Sequence, residues 1–261
     1  MNSTGISVVT GGASGIGAAC VQHLVKRGDK VVVIDLPGAW QPGKLGVEIA
    51  GSYEADVTDD DGLRQVAARI EREHGPVTAL VNSAGILQRR LAPHQLSMQE
   101  WDRVVAVDQR GTYLCCAIFG SVMAQRGHGA IVNIASITSL RSVPLHAYAP
   151  AKAAVASITE CLAAEWGRSG VRVNAISPGY VLTEAMQTAI DRGDRNPDHM
   201  TSQAAMGRLV KVAEVADAVG FLLSNAATAI TGINLPVDAG WLAGSTWMTY
   251  GGVPAAQSGS A

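Results

Sequence analysis

The chain reads as an α/β protein, a doubly wound parallel sheet of about seven strands with helices on both faces. Three observations predict it. Short β-branched runs alternate with longer amphipathic runs along the 261 residues, and that rhythm implies right-handed crossovers between parallel strands. A glycine-rich turn, Thr10-Gly11-Gly12-Ala13-Ser14-Gly15-Ile16-Gly17, joins the first such run to the second. Asp35, Asn82, Ser136 and Pro178 fall at or just after the ends of β-branched runs. Ligands on such sheets bind beyond the carboxyl ends of the strands, so these residues converge on one edge.

Taken in order, Ile6–Thr10 is the first strand and a helix follows over 15–27. Lys30–Asp35 is the second strand and 51–55 the third, with a helix over Asp60–His74 behind it. The fourth strand is 79–82. Ser97-Met98-Gln99-Glu100 is a capping box and opens a long helix toward Gly127. The fifth strand is 130–134, then a helix over 147–168 and a sixth strand over 171–177. A helix over 212–224 and a strand over 233–237 complete the series. No repeat or linker divides the chain, which reads as one domain over 1–261. Residues 183–207 are polar, break the rhythm, and read as a lid over the site or as a surface excursion. The tail, 241–261, carries Trp241, Trp247, Met248 and Tyr250, which suits docking on a neighbouring subunit. Its last residues, 255–261, read as frayed.

Composition narrows the function. The chain is 48% hydrophobic and 16% charged, which suits a well-buried soluble enzyme. A net charge of −2 gives no reason to expect a nucleic acid partner. No apolar run approaches the ~20 residues of a membrane span, and the short polar start reads as carrying no secretory leader. Cys20, Cys115, Cys116 and Cys161 form no C-x-x-C pair and lie in apolar helical stretches. They read as buried thiols in a reducing, cytoplasmic setting, and no His cluster suggests a metal.

The chemistry centres on Tyr148 and Lys152, four apart and so on one helix face. An ammonium beside a phenol favours the phenolate, which makes an acid/base for an alcohol or a carbonyl. Alone, the pair would fit any surface helix. Ser136, twelve residues before Tyr148, and the glycine turn give it context. Glycines let that turn approach a pyrophosphate, which then sits on the helix N-terminus. The spacing Gly11-x-x-x-Gly15-x-Gly17 is not the commoner G-x-G-x-x-G, and by itself it would hold any phosphate or merely close a turn. Asp35 sharpens the reading. A carboxylate at the end of the second strand accepts hydrogen bonds from adenosine ribose hydroxyls and repels a 2′-phosphate. Leu36 and Pro37 follow, with no arginine to neutralise that phosphate. NAD is favoured over NADP by about an order of magnitude or more. The other reading of Asp35, a turn cap, fits this context less well.

Together these residues resemble the short-chain dehydrogenase/reductase family from Thr10 to about Gly240, whose fold is a Rossmann-type sheet. The glycine turn, with Ser14 and Ile16, matches the family's T-G-x-x-x-G-x-G. Asn82-Ser83-Ala84-Gly85 matches N-N-A-G, with serine for the second asparagine. Asp56-Val57 matches the adenine-contacting pair, and Pro178-Gly179 with Val181 and Thr183 matches the loop that holds the nicotinamide amide. The resemblance implies that Tyr148 is the acid/base, that Lys152 supports it and bonds the nicotinamide ribose, and that Ser136 steadies the substrate oxygen. It also implies a homotetramer and no metal. One position departs: Asp108, in Val107-Asp108-Gln109-Arg110-Gly111, stands where the family has a catalytic asparagine. Aspartate keeps the backbone carbonyl used in the proton relay and loses the amide donor. Either the relay survives, with Arg110 or Lys152 balancing the charge, or the replacement is neutral.

The substrate is less legible. Gln88, Arg89 and Arg90, Thr138 and His146, and Tyr180 and Glu184 are the polar residues placed to line a pocket. His146 reads as a pocket wall, and Arg89 or Arg90 as a grip on a carboxylate or hydroxyls or as solvated side chains. A polar pocket favours a sugar, polyol or related hydroxy compound, and the resemblance points the same way. The rivals are a 3-oxoacyl thioester reductase using NADPH, which Asp35 opposes, and a nucleotide-binding regulatory protein, which the intact Ser136, Tyr148 and Lys152 oppose.

Overall fold

A computed structural model describes residues 5–255. Seven strands form the central sheet: β1 (Ile6–Thr10), β2 (Lys30–Asp35), β3 (Gly51–Glu54), β4 (Val77–Asn82), β5 (Gly129–Ile134), β6 (Val171–Pro178) and, beyond two short strands, β9 (Asn234–Val237). All pair in parallel, in the order β3-β2-β1-β4-β5-β6-β9. The order reverses between β1 and β4, which opens a crevice at their carboxyl ends.

The strands are apolar on both sides because both sides are covered. Alternate residues face opposite layers. Val8, Val32, Leu80 and Ile131 pack with Leu63 and Ile70 of the Asp60–His74 helix and with Phe119 and Met123. Val9, Val33, Val81 and Val132 pack instead with Leu24 of the Gly15–Lys26 helix and with Val215 and Leu222 of the Val212–Leu223 helix.

The long helix begins at Met98 and ends at Arg126, where Gly127 takes a left-handed C-cap (φ 77°). Two stretches, Val105–Gly111 and Cys116–Gly120, are π-wound. Such turns are rare and concentrate at functional sites, and Asp108 lies in the first. Only half of the expected capping box forms. Ser97 Oγ accepts from Glu100 N–H at 3.1 Å, but the Glu100 carboxylate turns to Arg89.

Other boundaries differ slightly from expectation. β4 starts at Val77, ahead of the predicted 79, because Thr78 interrupts the apolar run. The helix after Ser136 spans Tyr148–Trp166 and gives way to a 3₁₀ turn, Gly167–Ser169. Cys20, Cys115 and Cys116 are buried, as expected, and burial pushes the Cys20 and Cys116 thiols up to about 12. Cys161 is the exception: it sits on the exposed face of the Tyr148–Trp166 helix.

After β6, the strands β7 (Val181–Leu182) and β8 (Val210–Lys211) pair with each other and pinch off the polar excursion. The excursion folds as two short helices, Glu184–Asp191 and Pro197–Thr201. In the tail, Trp241 packs edge-on against Tyr180, with ring centroids 5.8 Å apart. Trp247 and Met248 are half exposed, and Tyr250 is 90% exposed. The end of the tail, 256–261, lies outside the described residues. Among those described, no helix is long and apolar enough to cross a membrane, and no cluster of His, Cys, Asp or Glu is placed to hold a metal ion.

Candidate active site

Ser136 follows the end of β5. Its Oγ accepts from Thr138 N–H at 3.2 Å, and its carbonyl is held by Ser139 Oγ at 2.7 Å and Ser177 Oγ at 2.8 Å. Two bonds to the carbonyl hold its backbone, and the third engages its side chain. The helix bearing Tyr148 starts with free N–H groups that need partners. Gln88 supplies one: its Oε1 accepts from Ala147 N–H at 2.6 Å and Tyr148 N–H at 3.3 Å. Gln88 is 2% exposed. It is therefore a buried support for the helix start, where the sequence placed it among pocket-lining residues.

Lys152 lies one turn beyond Tyr148 on the same face, its Nζ 5.6 Å from the Tyr148 ring centroid. The side chain is buried, and a buried ammonium needs partners. Ile134 carbonyl accepts from it at 3.0 Å, and Asp108 Oδ2 stands 3.3 Å away. Asp108 is 0% exposed, and its Oδ1 accepts from Ile86 N–H at 2.8 Å. Burial pushes its carboxyl above the ordinary carboxylate range, while Lys152 and the Ile86 N–H pull it back. Of the two cations offered as partners, only Lys152 serves. Arg110 is exposed and donates to Thr58 carbonyl at 2.8 Å. Asp108's own carbonyl accepts from Thr112 Oγ at 2.8 Å.

The glycine turn has the shape of a phosphate cradle. Gly11 and Gly15 take left-handed φ values of 65° and 55°. A Cβ at Gly11 would meet Ala84 backbone at 2.8 Å, and one at Gly17 would meet Gly11 carbonyl at 2.1 Å. A Cβ at Gly15 would meet only Thr183, at 3.8 Å, so the turn and Thr183 face each other. Ser14, the exposed N-cap, makes no side-chain cap bond, which leaves the first helical N–H groups for an anion. Thr10 Oγ ties the two loops of the crevice, accepting from Ser83 N–H at 3.2 Å and Ala84 N–H at 3.3 Å. Asp35 Oδ2 accepts from Ala13 N–H at 2.9 Å and Oδ1 from Leu36 N–H at 2.8 Å. The carboxylate thus caps the turn as well as ending β2. These residues fit a dinucleotide. Gly17→Ala is expected to cost about 1–3 kcal/mol of stability through overpacking, with a larger loss of cofactor affinity. Thermal melts with and without NADH would check both.

The remaining candidates are distributed as follows. Asp56 is exposed and closes a turn onto Thr58, and Val57 is buried against Gly111. Asn82 is buried and gives its amide to Cys116 Sγ and Asn133 Oδ1, so its side chain braces strand ends. Gly179 approaches Asp238 too closely for any Cβ, Val181 is buried in β7, and Thr183 caps the helix at Glu184 by accepting from Met186 N–H. Thr138 and His146 line one depression of about 380 Å³ together with Arg141, which the sequence reading did not single out. Only its place between Ser136 and Tyr148 signalled it. Arg90 and Tyr180 do not line that depression. Arg89 is engaged by Glu100, which takes its guanidinium at 2.8 Å and its N–H at 3.1 Å on the surface. Arg89→Ala should therefore change the KM of any substrate by less than about twofold, since surface ion pairs contribute little. Steady-state kinetics would test this.

These features are those of an oxidoreductase, and the chain belongs to the short-chain dehydrogenase/reductase family. A family profile described as Enoyl-(Acyl carrier protein) reductase matches residues 11–242. The chain is 39% identical over 244 residues to D-threitol dehydrogenase of Mycolicibacterium smegmatis, covering 90% of this chain and 92% of that protein. It is 37% identical over 243 residues to galactitol 2-dehydrogenase of Rhizobium johnstonii, covering 90% and 94%. A crystal structure named as ribose-5-phosphate isomerase from Brucella melitensis 16M superposes with a TM-score of 0.92 at 46% identity, covering 97% of this chain and 99% of that one.

Proposed function

We propose that the protein is an NAD-dependent dehydrogenase that interconverts a secondary alcohol and a ketone on a polyol, sugar or related polar compound. The observation that supports this is the pairing of Tyr148 with buried Lys152, whose ammonium reaches the end of β5 two residues before Ser136, on the same sheet edge as the glycine turn capped by Asp35. Similarity to a threitol and a galactitol dehydrogenase supports the substrate class.

In this reading, Ser136 Oγ donates to the substrate oxygen and fixes the carbinol. Tyr148 takes the hydroxyl proton during oxidation and returns it during reduction. Lys152 favours the phenolate and would hold the nicotinamide ribose. Gly11, Gly15, Gly17 and Ser14 would hold the pyrophosphate, Asp35 the adenosine ribose, and Thr183 the nicotinamide amide. When bound, the nicotinamide accepts or supplies a hydride. His146 and Arg141, on the segment between Ser136 and Tyr148, would offer polar groups to the substrate's hydroxyls, while the Thr138 hydroxyl is buried without a partner. The excursion over 183–207, pinched at β7 and β8, closes over the site as a lid. The exposed Trp247, Met248 and Tyr250 suit contact with further copies of the chain, and four unpaired thiols suit a reducing cytoplasm.

The test is NADH or NADPH formation by the purified protein across tetritols, hexitols, sugars, sugar acids and simple secondary alcohols. NAD-dependent turnover of polyols supports the reading. Turnover only of hydrophobic alcohols would overturn the substrate class. Ribose 5-phosphate belongs in the panel because of the Brucella relative's name. Isomerisation consumes no dinucleotide and would leave the NADH absorbance unchanged while ketose accumulates.

A further inference from the structure

Asp108 and Lys152 form a buried ion pair at the edge of the cofactor cradle. The carboxylate is fully buried and the ammonium nearly so, 3.3 Å apart. Gly85 lies over them, where a Cβ would stand 3.4 Å from Asp108 Oδ2 and 3.5 Å from Lys152 Nζ. Oδ1 accepts from the Ile86 N–H, and Oδ2 accepts no hydrogen bond but stands 3.3 Å from the ammonium as an ion-pair contact. The two groups that face the carboxylate are an N–H and an ammonium, which favour its ionised form against the burial that disfavours it.

The surroundings isolate the pair. The 83–88 segment contributes no titratable side chain. β5 contributes the Ile134 carbonyl on Lys152. The Tyr148–Trp166 helix contributes Lys152 and Tyr148, and Asp108's own helix contributes Arg110, which turns out to Thr58. Among the described residues Lys152 therefore has one anionic partner, and the charge that Tyr148 meets is an ammonium already offset by a carboxylate.

We propose that Asp108 is a positioning residue that sets the pH range of the reaction, its carboxylate opposing the effect of Lys152 on the Tyr148 phenol. This rests on Tyr148 being the acid/base. The sign follows from charge. Oxidation needs the phenolate, the ammonium favours it, and the carboxylate disfavours it. A neutral side chain of the same shape should let the phenolate form at lower pH, by about one pH unit for a carboxylate paired with the ammonium beside the ring.

The experiment compares kcat/KM for alcohol oxidation against pH, at saturating NAD, in wild type and Asp108→Asn. The acid limb is expected to move down by about one unit, with about tenfold more activity on that limb. A limb that stays in place or moves up would overturn the proposal. So would a uniform loss at every pH with a lowered melting temperature, which is the mark of a merely structural role. A second readout needs no turnover: the phenolate absorbance of the cofactor-free protein against pH, each form minus its Tyr148→Phe counterpart. The Tyr148 component should appear at lower pH in Asp108→Asn. If that variant does not fold, Asp108→Ser is neutral and keeps an acceptor for the Ile86 N–H. If Tyr148→Phe remained active, the functional reading would fail, while the absorbance comparison would still decide what Asp108 does to Tyr148.

Discussion

Tyr148→Phe is expected to lower kcat by about three orders of magnitude, the scale of a positioned general acid/base. NADH affinity should stay within about twofold. The reasoning is local. The variant deletes one oxygen and keeps a ring that packs against the cluster of Leu96, Val104 and Ala147. Gln88 caps main-chain N–H groups of Ala147 and Tyr148, which the substitution leaves in place. Lys152 keeps both the Ile134 carbonyl and Asp108. The helix start, the ammonium and the cradle should therefore survive, and only proton transfer should suffer. NADH fluorescence titration beside steady-state turnover measures the two separately. A parallel fall in binding and turnover would mean that the phenol oxygen holds the site together. A small fall in turnover with binding intact would remove Tyr148 from the chemistry.

Much of the fold is legible in the sequence for a physical reason. Strands covered on both faces must be apolar at nearly every position, so β2 shows an unbroken Val31–Ile34 run, and β1 and β5 are β-branched apart from Ser7 in one and Gly129, Ala130 and Asn133 in the other. β4 reads short in the sequence because polar Thr78 breaks its apolar run while its backbone stays in the sheet. Tyr148 and Lys152 are legible because the helix repeat fixes their relation locally. What brings them their partners is not local. Gln88 reaches Ala147 from 59 positions away, and Lys152 meets Ile134 and Asp108 only because β5, the long helix and the following helix pack together. Asp108 was visible as an odd residue, but its choice of Lys152 over Arg110 depends on which way a π-wound turn faces. The same limit explains Arg89 and Glu100. Periodicity marks Glu100 as half of a capping box, and only the path of the preceding loop brings a guanidinium near enough to take it. Cys161 shows the converse error. An apolar neighbourhood in sequence does not say which face of a helix a residue occupies.

Asp35→Asn should shift the ratio of NADP to NAD efficiency by about tenfold or more toward NADP, because it removes one close like charge. The amide is chosen because Asp35 has a second task. Its Oδ2 accepts from Ala13 N–H in the glycine turn, and an asparagine oxygen can still do so. A shift in preference would then report charge and not a collapsed turn. NAD itself should bind somewhat less well, since a neutral acceptor is weaker than a carboxylate. Full reversal is not expected from this change alone. Glu54 lies in register with Asp35 on β3 and accepts from Gly38 N–H at 2.8 Å, so a second carboxylate remains at the same edge. Leu36 is 53% exposed beside it. Adding Leu36→Arg would supply the cation that the wild-type loop lacks, and the double variant should prefer NADP. Initial rates with each cofactor in wild type, single and double variants separate the contributions. An unchanged ratio in Asp35→Asn would reduce Asp35 to a cap on the glycine turn. Discrimination would then have to come from Glu54, and Glu54→Gln would become the decisive variant.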